Sequence, residues 1–144
     1  MIIVLVIVVL LAIVLVVGVL GLRRMVGGAQ RRAVDSLAGH KVVTAEPARS
    51  LGVSSRGKRQ VRGTGTLALC HDRVIFVQWV PHSVVDMPFT TITSADTTTS
   101  HLGKSVGSPV LRLSWMTPDG VDQLAVQVRD PQRWLTALRS AGVG

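Results

Sequence analysis

The chain opens on MIIVLVIVVLLAIVLVVGVLGL, a run with no charged or polar side chain. About 21 such residues make a helix of roughly 31 Å, close to the apolar thickness of a bilayer. In lipid a lone segment pairs all its backbone N–H and C=O groups only as a helix. The run begins at Met1, exceeds the apolar core of a signal peptide, lacks a small-residue cleavage site and is closed by Arg23-Arg24. It therefore reads as a retained transmembrane helix over residues 1–22.

Residues 23–44 read as a basic juxtamembrane linker and residues 45–144 as one folded domain. Within the linker, Ala29 to Ala38 fits a short helix with Ala33, Val34, Leu37 and Ala38 on one side and Gly39 ending it. From Thr64 the pattern becomes strand, turn, strand. Thr66–Cys70 and Val74–Val80 are joined by a short hairpin connection. Val84–Asp86 and Phe89–Thr99 follow, with Pro88 marking an edge or a bend. Ser100–Pro109 reads as a loop. Leu111, Leu113 and Trp115 alternate with polar residues, Thr117-Pro118-Asp119-Gly120 turns the chain, and Leu124, Val126 and Val128 alternate on the return. The period then changes. Asp130 caps and Pro131 starts a helix that carries Trp134, Leu135, Leu138 and Ala141 on one side and stops at Gly142. Trp134 is the expected plug between that helix and the sheet.

Charge adds an orientation. Residues 1–62 hold ten Lys and Arg against two acids, whereas residues 63–144 hold six of each, so the whole net charge of +8 belongs to the first part. Arg23, Arg24, Arg31 and Arg32 follow the span directly, which by the positive-inside rule keeps the C-terminal domain in the cytoplasm and the N-terminus outside the plasma membrane. The single cysteine, Cys70, allows no internal disulfide and agrees with a reducing compartment. A neutral domain poor in aromatic residues is not expected to read DNA or RNA.

Little in the sequence resembles an active site. Gly103-Lys104-Ser105 ends like a phosphate-binding loop, but Thr98 replaces the required first glycine. His40, His71, His82 and His101 show no metal-ligand spacing, and no nucleophile elbow is present. An enzyme would have to gather His71, His101 and an acid through the fold. The domain is expected to be non-enzymatic, without metal, cofactor or small-molecule substrate. The most suggestive segment is RGKRQVRG, where Arg56, Lys58, Arg59 and Arg62, with Lys104, form a candidate site for anionic lipid headgroups.

The segments GTGTLALCHDRVIFVQWVPHSVVDMPFTTI, SHLGKSVGSPVLRLSW and QVRDPQRWLTAL resemble small actinobacterial single-span membrane proteins with a pleckstrin-homology-like domain, a family largely of unknown function. The resemblance covers roughly residues 45–142. It rests on a G-x-L-x-L hairpin opening, the Met87-Pro88-Phe89 strand break and the D-P-x-x-W helix start. It implies a mainly-β split barrel of two near-orthogonal antiparallel sheets, seven strands in all, capped by a C-terminal helix. Val42–Val53 must then supply the first strand, and the basic segment becomes the first strand–loop–strand connection. The function this implies is a membrane-anchored adaptor or scaffold that binds a protein partner or itself. The alternative is a sensor of anionic headgroups through loop 56–62.

Overall fold

The computed structural model describes every residue except Lys58 and Gly144, with only the backbone for Met25, Val26, Ala29, Gln30, Arg32, Val34 and Ser36. The elements follow in the order α1 (Ile2–Leu37), β1 (Val42–Val53), β2 (Thr64–Cys70), β3 (Arg73–Gln78), β4 (Ser83–Pro88), β5 (Ile92–His101), β6 (Lys104–Thr117), β7 (Gly120–Gln127) and α2 (Pro131–Ser140). Short 3-10 turns occupy Ser54–Arg56 and Phe89–Thr91.

Ile2–Arg24 is long and apolar enough to cross a membrane, and the rest of the chain covers none of it. The helix does not stop there. It continues unbroken to Leu37, so most of the expected linker 23–44 is helix, and β1 starts at Val42. Gly27 and Gly28 lie inside it, each costing about 1 kcal/mol against alanine. Tertiary contact offsets that cost. Ala33, 1% exposed, is buried with Ala68, Cys70, Ile75 and Val77 on the outer face of β2 and β3, and Leu37 and Trp79 pack on the same cluster. Gly39 (φ 86°) then turns the chain into β1.

The strands form one antiparallel sheet in the order β4-β3-β2-β1-β7-β6-β5. The ladders join all seven strands in this one sheet, and the two near-orthogonal sheets that the resemblance implies are not confirmed. β1 pairs with both β2 and β7 and joins the two halves. One core cluster draws side chains from both halves, among them Leu67, Phe76 and Met87 on one side and Leu111, Leu113 and Leu124 on the other. Strands spaced about 4.8 Å apart would put the edges of a flat sheet of this size roughly 29 Å from each other. Sharing one core therefore requires the sheet to curl.

Gly65 shows why the hairpin opening begins with glycine. A Cβ there would lie 2.2 Å from the Val77 carbonyl oxygen and 2.8 Å from the Phe76 ring, so no side chain fits between β2 and β3.

The expected loop over Ser100–Pro109 is mostly strand. Leu102 (φ 51°) and Gly103 (φ 74°) form a two-residue hairpin turn, and Ser100 pairs with Ser105 and His101 with Lys104. Only Val106 to Pro109 leave the ladder, as a bulge between the pairs Ser100–Ser105 and Thr98–Val110. The glycines and proline that suggest a loop serve the turn and the bulge instead.

Helix α2 closes the core. The Asp130 carboxylate accepts the Arg133 N–H at 3.2 Å. At the other end the Gly142 N–H donates to Arg139 and the Val143 N–H to Leu138, with Gly142 at φ 87°. Trp134, Leu135 and Leu138 are buried in the core, so the tryptophan fills the position its spacing predicts.

Candidate functional site

The two ends of β1 carry the chemistry. At its C-terminal end the chain enters the connection Ser54–Gly63, which holds the basic residues. Asp122, at the start of β7, pins this connection. One carboxylate oxygen accepts the Ser54 hydroxyl at 2.7 Å and the N–H groups of Ser55 and Gln123 at 2.9 Å. The other accepts the Ser55 hydroxyl at 2.6 Å. Burial opposes ionisation of Asp122, but the hydrogen bonds from Ser55, Ser54 and the two backbone N–H groups outweigh it and hold the carboxyl below its usual range. The Gln60 amide adds a second clasp. Its oxygen accepts the Val53 N–H at 2.8 Å and its nitrogen donates to the Val53 carbonyl at 2.7 Å, so a side chain stands in for a neighbouring strand.

The residues expected to bind headgroups sit on this connection. Arg56 donates to the Ser83 hydroxyl at 2.7 Å, and Arg59 is exposed. Lys58 lies outside the described residues. Arg62 is half-buried, and its Nε and Nη2 are enclosed without a hydrogen-bond partner among the described residues. Lys104 begins β6 on the neighbouring hairpin, opposite His101, and the buried His101 Nε2 lies 2.8 Å from the Gly52 carbonyl oxygen. The hairpin is thereby tied to the base of the basic connection. Val61 and Val80 are 68% and 54% exposed at the same end, on the β1–β2 and β3–β4 connections. Of the expected topology residues, Arg23, Arg24 and Arg31 are exposed on α1, and the Arg32 side chain lies outside the described residues.

At the N-terminal end of β1 lies a cleft of about 580 Å³ between that strand, the end of β2 and α2. Its walls include Val43, Glu46, His71, Arg129, Arg133 and Trp134. The Trp134 Nε1–H donates to the Glu46 carboxylate at 2.8 Å, which occupies one acid of the cleft. The other, Asp130, caps α2. Cys70 also borders the cleft, and burial, with Asp72 and Asp86 nearby, pushes its thiol up, so it stays protonated at neutral pH.

Sequence reading found the basic connection but missed the cleft. Its walls come from residues 43–46, 69–71 and 129–141, and only the ladder brings them together. Leu67 to Cys70 and Val74 to Val77 are apolar at every position, which signals strands covered on both faces, and the second cover is α1 rather than a wall of the cleft. His71 lines the cleft while His101 holds Gly52, so the two histidines do not share a site. Gly103-Lys104-Ser105 runs from a hairpin turn into a strand, with no helix after it to complete a phosphate loop. Among the described residues no three of His, Cys, Asp and Glu converge as metal ligands would.

No protein-family model matches the chain, and no curated protein matches it. Among solved structures it is similar to the C-terminal domain of an unknown protein from Leishmania infantum, with TM-score 0.52 and 14% identity over 81% of this chain and 96% of that one. It is also similar to a chain of the 8S snRNP assembly intermediate, with TM-score 0.55 and 10% identity over 71% of this chain and 82% of that one. At such identities the likeness speaks for the fold alone.

Proposed function

We propose that the chain is a single-pass plasma-membrane protein whose cytoplasmic domain is a non-enzymatic interaction module, an adaptor or scaffold that binds a protein partner or a second copy of itself. On this reading α1 crosses the membrane with its N-terminus outside, as Arg23, Arg24 and Arg31 just after the span favour. The curled sheet is then a pleckstrin-homology-like split barrel. Its strand order, two antiparallel meanders joined through β1, and its single core under a C-terminal helix support that assignment.

The observation that carries the function is the joint between anchor and sheet. α1 runs unbroken from the apolar segment to Ala33 and Leu37, which pack on the outer face of β2 and β3. A domain held this way is presented to partners in a set orientation, whereas a flexible linker would serve a domain that searches. The test is photo-cross-linking of the full chain in cells, with the reactive group at Val43 or at Val61, together with protease accessibility for the orientation. Capture of a discrete partner or of a dimer is the expected result. Nothing captured from either position overturns the module.

A second reading, a sensor of anionic headgroups, is favoured by one observation. Exposed Arg59 and the apolar Val61 stand beside Arg62, whose Nε and Nη2 have no partner among the described residues, and cations next to an exposed apolar side chain suit a headgroup at an interface. Its test compares the full chain in anionic and zwitterionic nanodiscs by hydrogen exchange over residues 54–63. Protection only in anionic lipid, lost when Arg56, Lys58, Arg59 and Arg62 are neutralised, is expected. Equal protection in both lipids sinks it.

A further inference from the structure

The ladder between β1 and β7 covers Arg49 to Val53 and no more. Beyond it β7 ends at Gln127, the chain leaves through Val128 and Arg129, and α2 starts at Pro131. Pro47, which has no N–H to donate, stands just past the last paired residue. The stretch Val42–Ala48 is thus paired with β2 on one side and, among the described residues, has no strand partner on the other. It spans roughly 23 Å. Thr44, Ala45 and Pro47 are exposed, and Val43 is 60% exposed. This open edge forms one wall of the 580 Å³ cleft, and α2 forms the opposite wall.

The charges of the cleft are unequal in their engagement. Glu46 is bonded to Trp134 and Asp130 to the Arg133 N–H. The side chains of Arg129 and Arg133 are exposed, with no ion-pair or hydrogen-bond partner among the described residues, and the exposed imidazole of His71 lines the same cleft. Open backbone on one wall and free guanidinium groups on the other suit an extended chain that carries acidic side chains. A second copy is a poor match, because the chain bears net charge +8 and has only eight acids.

We propose that the cleft is a peptide-binding site in which an acidic, extended segment of a partner protein pairs as an added strand with Val42–Ala48 and sets its carboxylates against Arg129 and Arg133. This rests on the interaction-module reading and names its site and partner chemistry. Main-chain pairing supplies affinity that depends little on sequence, and the arginines select for acids.

The probe is a fluorescent peptide alternating valine and glutamate over about eight residues, long enough to cover the open edge. It is titrated against the full chain in zwitterionic nanodiscs and followed by anisotropy. Saturable binding is expected, weaker by roughly tenfold for the same peptide with glutamine in place of glutamate and for the Arg129→Glu/Arg133→Glu chain. Both arginines are exposed, so the variant should keep the circular dichroism spectrum and melting temperature of the parent. A peptide N-methylated at alternate residues should lose a similar factor, because one of its edges no longer donates. No saturable binding, equal binding of the glutamine peptide, or binding indifferent to the charge reversal or the N-methylation each overturns the proposal. The broader module is judged separately. A partner still captured in cells by the Arg129→Glu/Arg133→Glu chain removes the cleft and leaves the module standing.

Discussion

The two ends of β1 are built on opposite principles. At the Ser54 end the polar groups nearest the strand are consumed: Asp122 accepts four donors, Gln60 brackets Val53, and Arg56 is bonded to Ser83. At the Val42 end the acids Glu46 and Asp130 are engaged, but among the described residues the backbone is unpaired toward α2 and the Arg129 and Arg133 side chains have no partner. The cations of the first end are conspicuous in sequence because they are neighbours there. Yet a dense local charge says little about openness, since the surrounding serines, glutamines and aspartate organise the connection internally. The second end has fewer charges per residue, but its strand edge and its two arginines line one cleft, which is an arrangement a partner can use.

That contrast is tested most severely by removing the element that shapes the cleft. Trp134→Ala should cost about 3–5 kcal/mol, since it empties the core beneath α2 and frees Glu46. Chemical denaturation of the full chain in detergent reads the loss, and a value below 1 kcal/mol would mean that α2 is not anchored through this ring. Next in size is Gly65→Ala, at about 1–3 kcal/mol, because the new methyl must displace the Val77 carbonyl or the Phe76 ring. It perturbs the sheet shared by both ends, so a shift in stability without any change in exchange rates around either end would contradict the packing argument.

The Asp122 clasp comes third. Asp122→Asn should cost about 1–3 kcal/mol, as it exchanges a charged acceptor of several hydrogen bonds for a neutral amide. The sign with pH follows from its lowered folded-state pKa. The stabilisation is fully present above the unfolded carboxylate value near 3.9 and is lost as pH falls from there through the lower folded value. Stability measured against pH should therefore fall on the acid side in the parent and flatten there in the variant. An identical acid limb in both would show that the clasp is not maintained. The smallest effect belongs to Gln60→Ala, about 1 kcal/mol, with faster amide exchange at Val53 and none at Val43. Exchange that quickens at both ends would mean that the two are not independent.

Much of the architecture was legible. The two-residue alternation at Leu111, Leu113 and Trp115, and again at Leu124 and Val126, marks strands that bury one face in the shared core. Asp130-Pro131 and Gly142 mark α2 because capping acts within a few residues. Elements whose stability comes from distant partners were harder to read. β1 contains Glu46, Pro47 and Gly52, lacks a clean alternation, and is a strand because β2 flanks it from Val42 to Arg49 and β7 from Arg49 to Val53. Only the family resemblance pointed to it. The helix over Ala29–Ala38 was legible, but its continuity with the apolar span was not, since Gly27-Gly28 looks like a break until Ala33 and Leu37 are seen against the sheet.

By itself, then, the sequence determined those features that arise from local chemistry: the long apolar helix, the turns and caps, the alternating strands of the second half and the position of every cation. Tertiary structure alone decided that α1 runs unbroken through Gly27-Gly28, that all seven strands join one ladder, that Asp122 ties down the basic connection, and that, among the described residues, the start of β1 keeps an open edge beside Arg129 and Arg133. Backbone geometry and water act on each residue and its near neighbours, so their preferences are written along the chain. Ladder register and the burial of one element against another depend on residues tens of positions apart, and they acquire meaning only once the sheet has closed around its core.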